Sequence, residues 1–209
     1  MSTYLMYSKL PHLVFGFHGC DRQLADDVIA GRADLLPSMN DYDWLGSGIY
    51  FWEQNYARAY DWAAELQKSG KIGEPGVVGA VIDLGYCLNL TDSRYIDLLK
   101  DEYLALKEEH ELLGSPMPSN VGKTEDKLLR RLDCAVIEHL HAWMHELVLE
   151  GQPGAEEFDS VRGLFSEGRP IYPGAGFKAK THVQICVRNP NCIKGYFAPR
   201  EKVDEWPNP

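Results

Sequence analysis

Two short runs carry the residue types best suited to chemistry. The first is Phe17-His18-Gly19-Cys20; the second is Trp44-Leu45-Gly46-Ser47-Gly48-Ile49-Tyr50-Phe51-Trp52, followed by Ala57, Ala59 and Trp62-Ala63. Each type suits a site that grips a flat heterocycle and its ribose. Glycine lets backbone amides approach a ligand closely, as at Gly19 and Gly48. Tyr50 offers an aromatic face for stacking, and His18 offers a ring nitrogen to a hydroxyl. A late apolar run, Thr181-His182-Val183-Gln184-Ile185-Cys186-Val187, alternates as a strand does. Period two puts Val183, Ile185 and Val187 on one face and His182, Gln184 and Cys186 on the other.

Other constellations fail on spacing. Gly122-Lys123-Thr124 ends like a phosphate loop, but the earlier glycine of that motif falls at Met117 and no buried strand precedes it. It opens the next helix instead. No Gly-x-Gly-x-x-Gly follows a strand, which argues against a dinucleotide-binding dehydrogenase. His141 and His145 stand four apart on one helix beside His139, yet Ala142 occupies the place where a metalloprotease needs its glutamate. Cys20 is a nucleophile only if His18 acts as its base. Glu102, Lys107, Glu108, Glu109 and Glu111 read as a solvated helix face.

These motifs sit in a chain of 209 residues, long enough for one domain with a sizeable core. Its 44% hydrophobic and 25% charged content is ordinary for a globular protein. A formal charge of −10 argues against a broad electrostatic grip on nucleic acid or anionic membrane. The five cysteines lack Cys-x-x-Cys spacing and suit reduced thiols rather than a disulfide framework. The opening Met1-Ser2-Thr3-Tyr4 lacks the charge and apolar run of a signal peptide. No apolar run approaches the roughly 20 residues that span a bilayer. A cytoplasmic protein is expected.

The elements that position the motifs follow from periodicity. Residues 12–18 read as a buried strand, 22–31 as a helix closed by Gly31, and 44–52 as a second strand. Residues 53–68 read as a helix with an apolar stripe at Tyr56, Ala59, Tyr60, Ala63 and Leu66, stopped by Gly70. Residues 76–84 form another buried strand. Helices are expected at 92–113, capped by Thr91 or Asp92, and at 124–149, with a Pro-rich break between them. Short strands at 161–165, 181–187 and 192–197 complete an α+β order.

In this order, His18-Gly19 and Gly46-Ser47-Gly48-Ile49-Tyr50-Phe51 resemble the signature of the ADP-ribosyltransferase superfamily, in its diphtheria-toxin and poly(ADP-ribose) polymerase branch. The third part of that signature is a glutamate on a late strand, where this chain has Gln184. The resemblance implies two packed β-sheets forming an NAD-binding cleft with helices around them. A single catalytic domain would span 1–200, with a helical insertion at about 92–150 and a tail at 201–209. It implies a mono-ADP-ribosyltransferase that uses NAD as co-substrate, needs no metal, and stabilises an oxocarbenium-like ribose as the nicotinamide bond breaks.

The roles implied are these. His18 bonds the adenosine ribose, Gly19 holds the nicotinamide carboxamide through its backbone, and Tyr50 stacks on the nicotinamide ring. Gly46 and Gly48 let the strand run close to the ligand, Ser47 adds a hydroxyl, and Arg162 meets a phosphate or forms a structural ion pair. Gln184 bonds the ribose but accepts no proton, which forfeits a general-base contribution of about 10²–10⁴-fold. Single-unit transfer or slow NAD cleavage is therefore expected. Glu167, Glu157 and His182 are the alternative bases. The acceptor is a macromolecule, protein or nucleic acid, and no membrane is involved. The simple architecture suits a bacterial or phage toxin or defence effector with an antitoxin or inhibitor partner. An NAD glycohydrolase and a silent NAD- or ADP-ribose-binding module are the competing expectations.

Overall fold

Short apolar runs buried on both faces make the central strands of this chain, and Gly, Asp and Asn at their ends make the turns. In the computed structural model, which describes residues 13–122 and 127–207, the order is β1 (Leu13–Asp21), α1 (Arg22–Ile29), β2 (Ile49–Glu53), α2 (Tyr56–Lys68), β3 (Pro75–Asp83) and β4 (Cys87–Asn89). There follow α3 (Ser93–Leu113), β5 (Asn120–Val121), β6 (Leu129–Arg130), α4 (Arg131–Leu149), β7 (Ser160–Phe165), β8 (His182–Val187) and β9 (Ile193–Phe197). Seven strands join in one mixed sheet in the order β4-β7-β8-β2-β1-β3-β9, and β5 and β6 pair as a separate ribbon. Only β4 and β7 run parallel within the large sheet. Parallel neighbours need a long crossover, and the α3–α4 segment supplies it.

The expected pair of packed sheets is corrected by this pairing, which runs unbroken from β4 to β9. The two halves of the sheet are nevertheless joined by little. Strands β1 and β2 share only Gly16↔Glu53 and Phe17↔Trp52, whereas β1 and β3 pair along their whole length from Leu13 to Asp21.

Both faces of the sheet are covered. On one, α1 packs Ala25 and Val28 against Ile49, Phe51, Val78, Ile82 and Ile185. On the other, α4 brings Ile137 and Leu140 against Leu45, Leu88, Val161 and Cys186. A smaller cluster under α2 joins Ala59 to Trp52 and Val77.

Local chemistry moves several boundaries. The helix after β2 starts at Tyr56 rather than residue 53, because Gln54 has φ 49° and the Asn55 side chain caps the Arg58 N–H. Residues 44–47 are irregular rather than strand, since Gly46 has φ 76°, and Gly48 makes a lone antiparallel bridge to Ser38. Helix α4 begins at Arg131; the ribbon strand β6 takes Leu129 and Arg130, and residues 124–126 of the expected helix lie outside the described residues. Lys123 and Thr124 of the discounted phosphate loop lie outside them too. Asp92 caps α3, as expected, by accepting from the Arg94 N–H. No helix among the described residues is long and apolar enough to cross a membrane.

Candidate functional site

The weak join between β1 and β2 places the first motif at a gap in the sheet. The Gln54 N–H donates to the Phe15 carbonyl at 2.9 Å, so Phe15 directs its peptide groups toward β2. Alternation along an antiparallel strand then turns the N–H and C=O of Phe17 and Gly19 the same way. Continuing the register would pair Gly19 with Tyr50, but pairing ends at Phe17↔Trp52. The Tyr50 carbonyl instead accepts from His18 Nδ1 at 2.8 Å. Gly19, buried and paired with Val77 on its β3 side, therefore turns its N–H and C=O toward a gap where no β2 residue pairs with it.

That hydrogen bond also sets the histidine's chemistry. A carbonyl only accepts, so Nδ1 carries the proton and neutral His18 keeps Nε2 as an acceptor. Burial pushes the His18 pKa below its ordinary value, and the Tyr50 carbonyl opposes this in part. Cys20 is on the same side of β1, but burial and the neighbouring Asp21 raise its thiol to about 11, which leaves it protonated.

Period two divides the remaining motif residues between the faces of the sheet. His18 meets the Phe51 ring, in the α1-side core, at 5.9 Å between centroids. Tyr50 packs on the α4 side. Its hydroxyl donates to the Gly46 carbonyl at 2.8 Å and accepts from the Leu45 N–H at 3.0 Å, so it braces the turn before β2. Packing alone requires the glycines of that turn. A Cβ on Gly46 would lie 2.8 Å from a Glu138 carboxylate oxygen, and one on Gly48 would lie 2.6 Å from both Cys186 Sγ and the Val187 carbonyl. Ser47 gives its backbone N–H to Glu138. Packing requires Gly19 too: α2 fits so closely that a Cβ there would stand 2.0 Å from the Ala59 carbonyl oxygen.

Gln184 lies beside β2, opposite Trp52, and opposite Gly163 on β7. It is 9% exposed, and its Oε1 accepts from Trp44 Nε1 at 2.6 Å. The Trp44 ring reaches it by lying over Gly163, where a Cβ would be 2.7 Å from the indole. The alternation expected for β8 holds: His182, Gln184 and Cys186 share the face away from Ile185 and Val187.

Of the alternative bases, two come together near Gln184. His182 sits against Trp52 and Phe165, with ring centroids 6.1 and 5.7 Å away. Its Nδ1 donates to the Lys180 carbonyl at 2.6 Å, and burial lowers its pKa. Glu167 meets Arg58 of α2 at 3.3 Å and Lys180 at 3.6 Å. Glu157 stands apart on the surface, accepting from His145 at 2.8 Å. Arg162 takes the structural alternative: it grips Glu53 at 2.5 and 3.1 Å and also bonds Asn89 and Thr91. Its guanidinium is spent in tying β7 to β2.

Sequence reasoning missed Trp44 and Arg58 as parts of this region. Trp44 reads as a strand residue in the same run as Trp52, and nothing in that run reveals the intervening turn. Arg58 follows the helix cap, where only the fold brings Glu167 to it.

A comparison with curated proteins finds an uncharacterized protein of Methanocaldococcus jannaschii, MJ0359, 30% identical over 198 residues. The likeness covers 85% of this chain and 83% of that protein. The chain belongs to the same family as MJ0359. Comparison with protein-family profiles and with solved structures finds no match.

Proposed function

We propose that the chain is an NAD-dependent mono-ADP-ribosyltransferase with its reaction centre at the gap between β1 and β2. The observation that carries this reading is the peptide edge of Gly19, which β2 leaves unpaired, beside His18. A primary carboxamide offers one donor face and one acceptor, the complement of a strand edge, and the amide of nicotinamide meets that requirement. The adjacent His18 Nε2 suits a ribose hydroxyl, and the Nδ1 bond to Tyr50 holds the ring for it. In the reaction the N-glycosidic electron pair leaves with neutral nicotinamide. The acceptor oxygen or nitrogen bonds the anomeric carbon and gives up its proton. Glu167 and His182 are the groups near Gln184 able to take that proton.

A second reading is favoured by one detail. The Oε1 of Gln184 is already bound by Trp44 and buried, which suits a module that binds NAD or ADP-ribose without turnover. Adenylate-labelled NAD, incubated with the purified protein and with cell extract, separates these. Label entering a macromolecule, and lost in His18→Ala, supports the transferase and reveals its acceptor class. Free ADP-ribose alone indicates a glycohydrolase. Binding without turnover leaves the silent module, and absence of binding overturns the proposal.

A further inference from the structure

A cavity of about 580 Å³ lies between α3, α4 and the end of β7. It contains none of His18, Gly19, Tyr50 or Gln184, so the proposed NAD site does not account for it. Its volume falls within the range of small-molecule sites, about 300–1,000 Å³. The walls are mainly aliphatic and aromatic, with Leu99, Ile137, Trp44, Tyr103 and Phe165 among them. The charged groups are Lys100, Arg130 and Asp133. Two cations against one anion leave the lining net positive, in a chain whose formal charge is −10.

The cations are unequally spent. Arg130 gives Nη1 to Asp133 at 3.0 Å and lies over the Phe165 ring at 4.9 Å. Its Nε is buried without a partner among the described residues. That nitrogen is closed to solvent, so it adds to the cost of desolvating the guanidinium and leaves the rest of the group to meet a ligand. Lys100 forms no ion pair among the described residues and is exposed at the cavity's edge.

We propose that this cavity binds a small amphipathic carboxylate, its apolar body between α3 and α4 and its acid group at Arg130 and Lys100. The aliphatic walls exclude a sugar or free phosphate, which would bury polar surface against them without partners. A neutral hydrocarbon would leave the net positive charge of the lining unanswered. Occupancy is coupled to the sheet through Trp44, whose ring lines the cavity while its Nε1 holds Gln184.

The test is isothermal titration of the full chain, without NAD, using 2-naphthoate and decanoate as probes and 2-naphthylmethanol as the uncharged counterpart. At least one acid is expected to bind with one-to-one stoichiometry, and the alcohol at least ten-fold more weakly than 2-naphthoate. Lys100→Met and Arg130→Met should each weaken the acid several-fold while changing the alcohol little. Leu99→Trp, which fills the cavity, should abolish binding; circular dichroism confirms that each variant is folded. Failure of both acids to saturate, equal affinity for acid and alcohol, or binding unaltered by Leu99→Trp would overturn the proposal. Competitive displacement of the acid by NAD would overturn it as a separate site. None of these readouts depends on NAD turnover.

Discussion

The imidazole of His18 does two things with two nitrogens. Nδ1 holds the Tyr50 carbonyl that the sheet has released, and Nε2 is left as an acceptor at the gap. Replacing it removes both the proposed ribose contact and the prop that holds the Tyr50 carbonyl. His18→Ala is therefore expected to lower nicotinamide release by at least about 10²-fold, the effect of mispositioning a reacting group. Turnover retained in this variant would exclude His18 from the reaction centre. Trp44 offers a complementary test at the same scale. Trp44→Phe keeps the ring over Gly163 but leaves the buried Gln184 Oε1 without its donor. A loss of about 1–3 kcal/mol in urea denaturation is expected, the cost of an orphaned buried acceptor. A neutral result would mean that water replaces the indole and that Gln184 is accessible to a ligand.

At the scale of elements, two contacts fix the gap: α2 against Gly19, and Arg162 of β7 against Glu53 of β2. Gly19→Ala drives a Cβ into the backbone of α2 at Ala59, which no side-chain rotation relieves. It should cost at least about 1–3 kcal/mol by overpacking and shift α2 away from the gap. Thermal denaturation checks the first, and NAD titration of the folded fraction the second. Arg162→Leu strips a largely buried carboxylate, Glu53, of its bidentate partner, with side-chain exposures of only 17% and 15%. A loss of about 3 kcal/mol follows from breaking such a pair. Stability should fall further than NAD affinity; the reverse order would return Arg162 to the ligand. These elements also mark what the sequence made legible. Strands β1, β3 and β8 and helices α1 to α3 follow from period and caps, because burial on fixed faces leaves a residue-level trace. Strand β4, three residues long, and the β5–β6 ribbon leave none. The gap itself was invisible, since a missing hydrogen bond between strands distant in sequence has no local signal. For the same reason the His-Gly and Tyr motifs were legible as a set, while their division between opposite faces was not.

For the molecule as a whole, acid sets two effects against each other. The formal charge of −10 diminishes as the pH falls toward the isoelectric point near 5.1, which relieves self-repulsion. That repulsion is spread over the surface and is screened beyond about 8 Å at physiological salt. Burial opposes it locally: His18, His141 and His182 all have pKa values lowered by desolvation, His141 to about 3. For such a group the unfolded chain binds the proton first, near pH 6.5, so stability is full above that value and falls as the pH drops. His141 is 5% exposed and its Nε2 has no partner among the described residues, so the folded state gives its proton no support. Between pH 6.5 and 5 this one histidine forfeits about 2 kcal/mol, at about 1.36 kcal/mol per pH unit. The partly exposed carboxylates Asp21, Asp27 and Asp92, held low by hydrogen bonds, surrender their contribution only at lower pH. The histidines therefore govern the first acid loss. His141→Phe, facing Phe158 in the α4-side core, should flatten the fall in urea-derived stability between pH 7 and pH 5 by about 2 kcal/mol. An undiminished fall in that variant would assign the acid transition to His18 and His182, and so to the gap and the Gln184 face rather than to the core beneath α4.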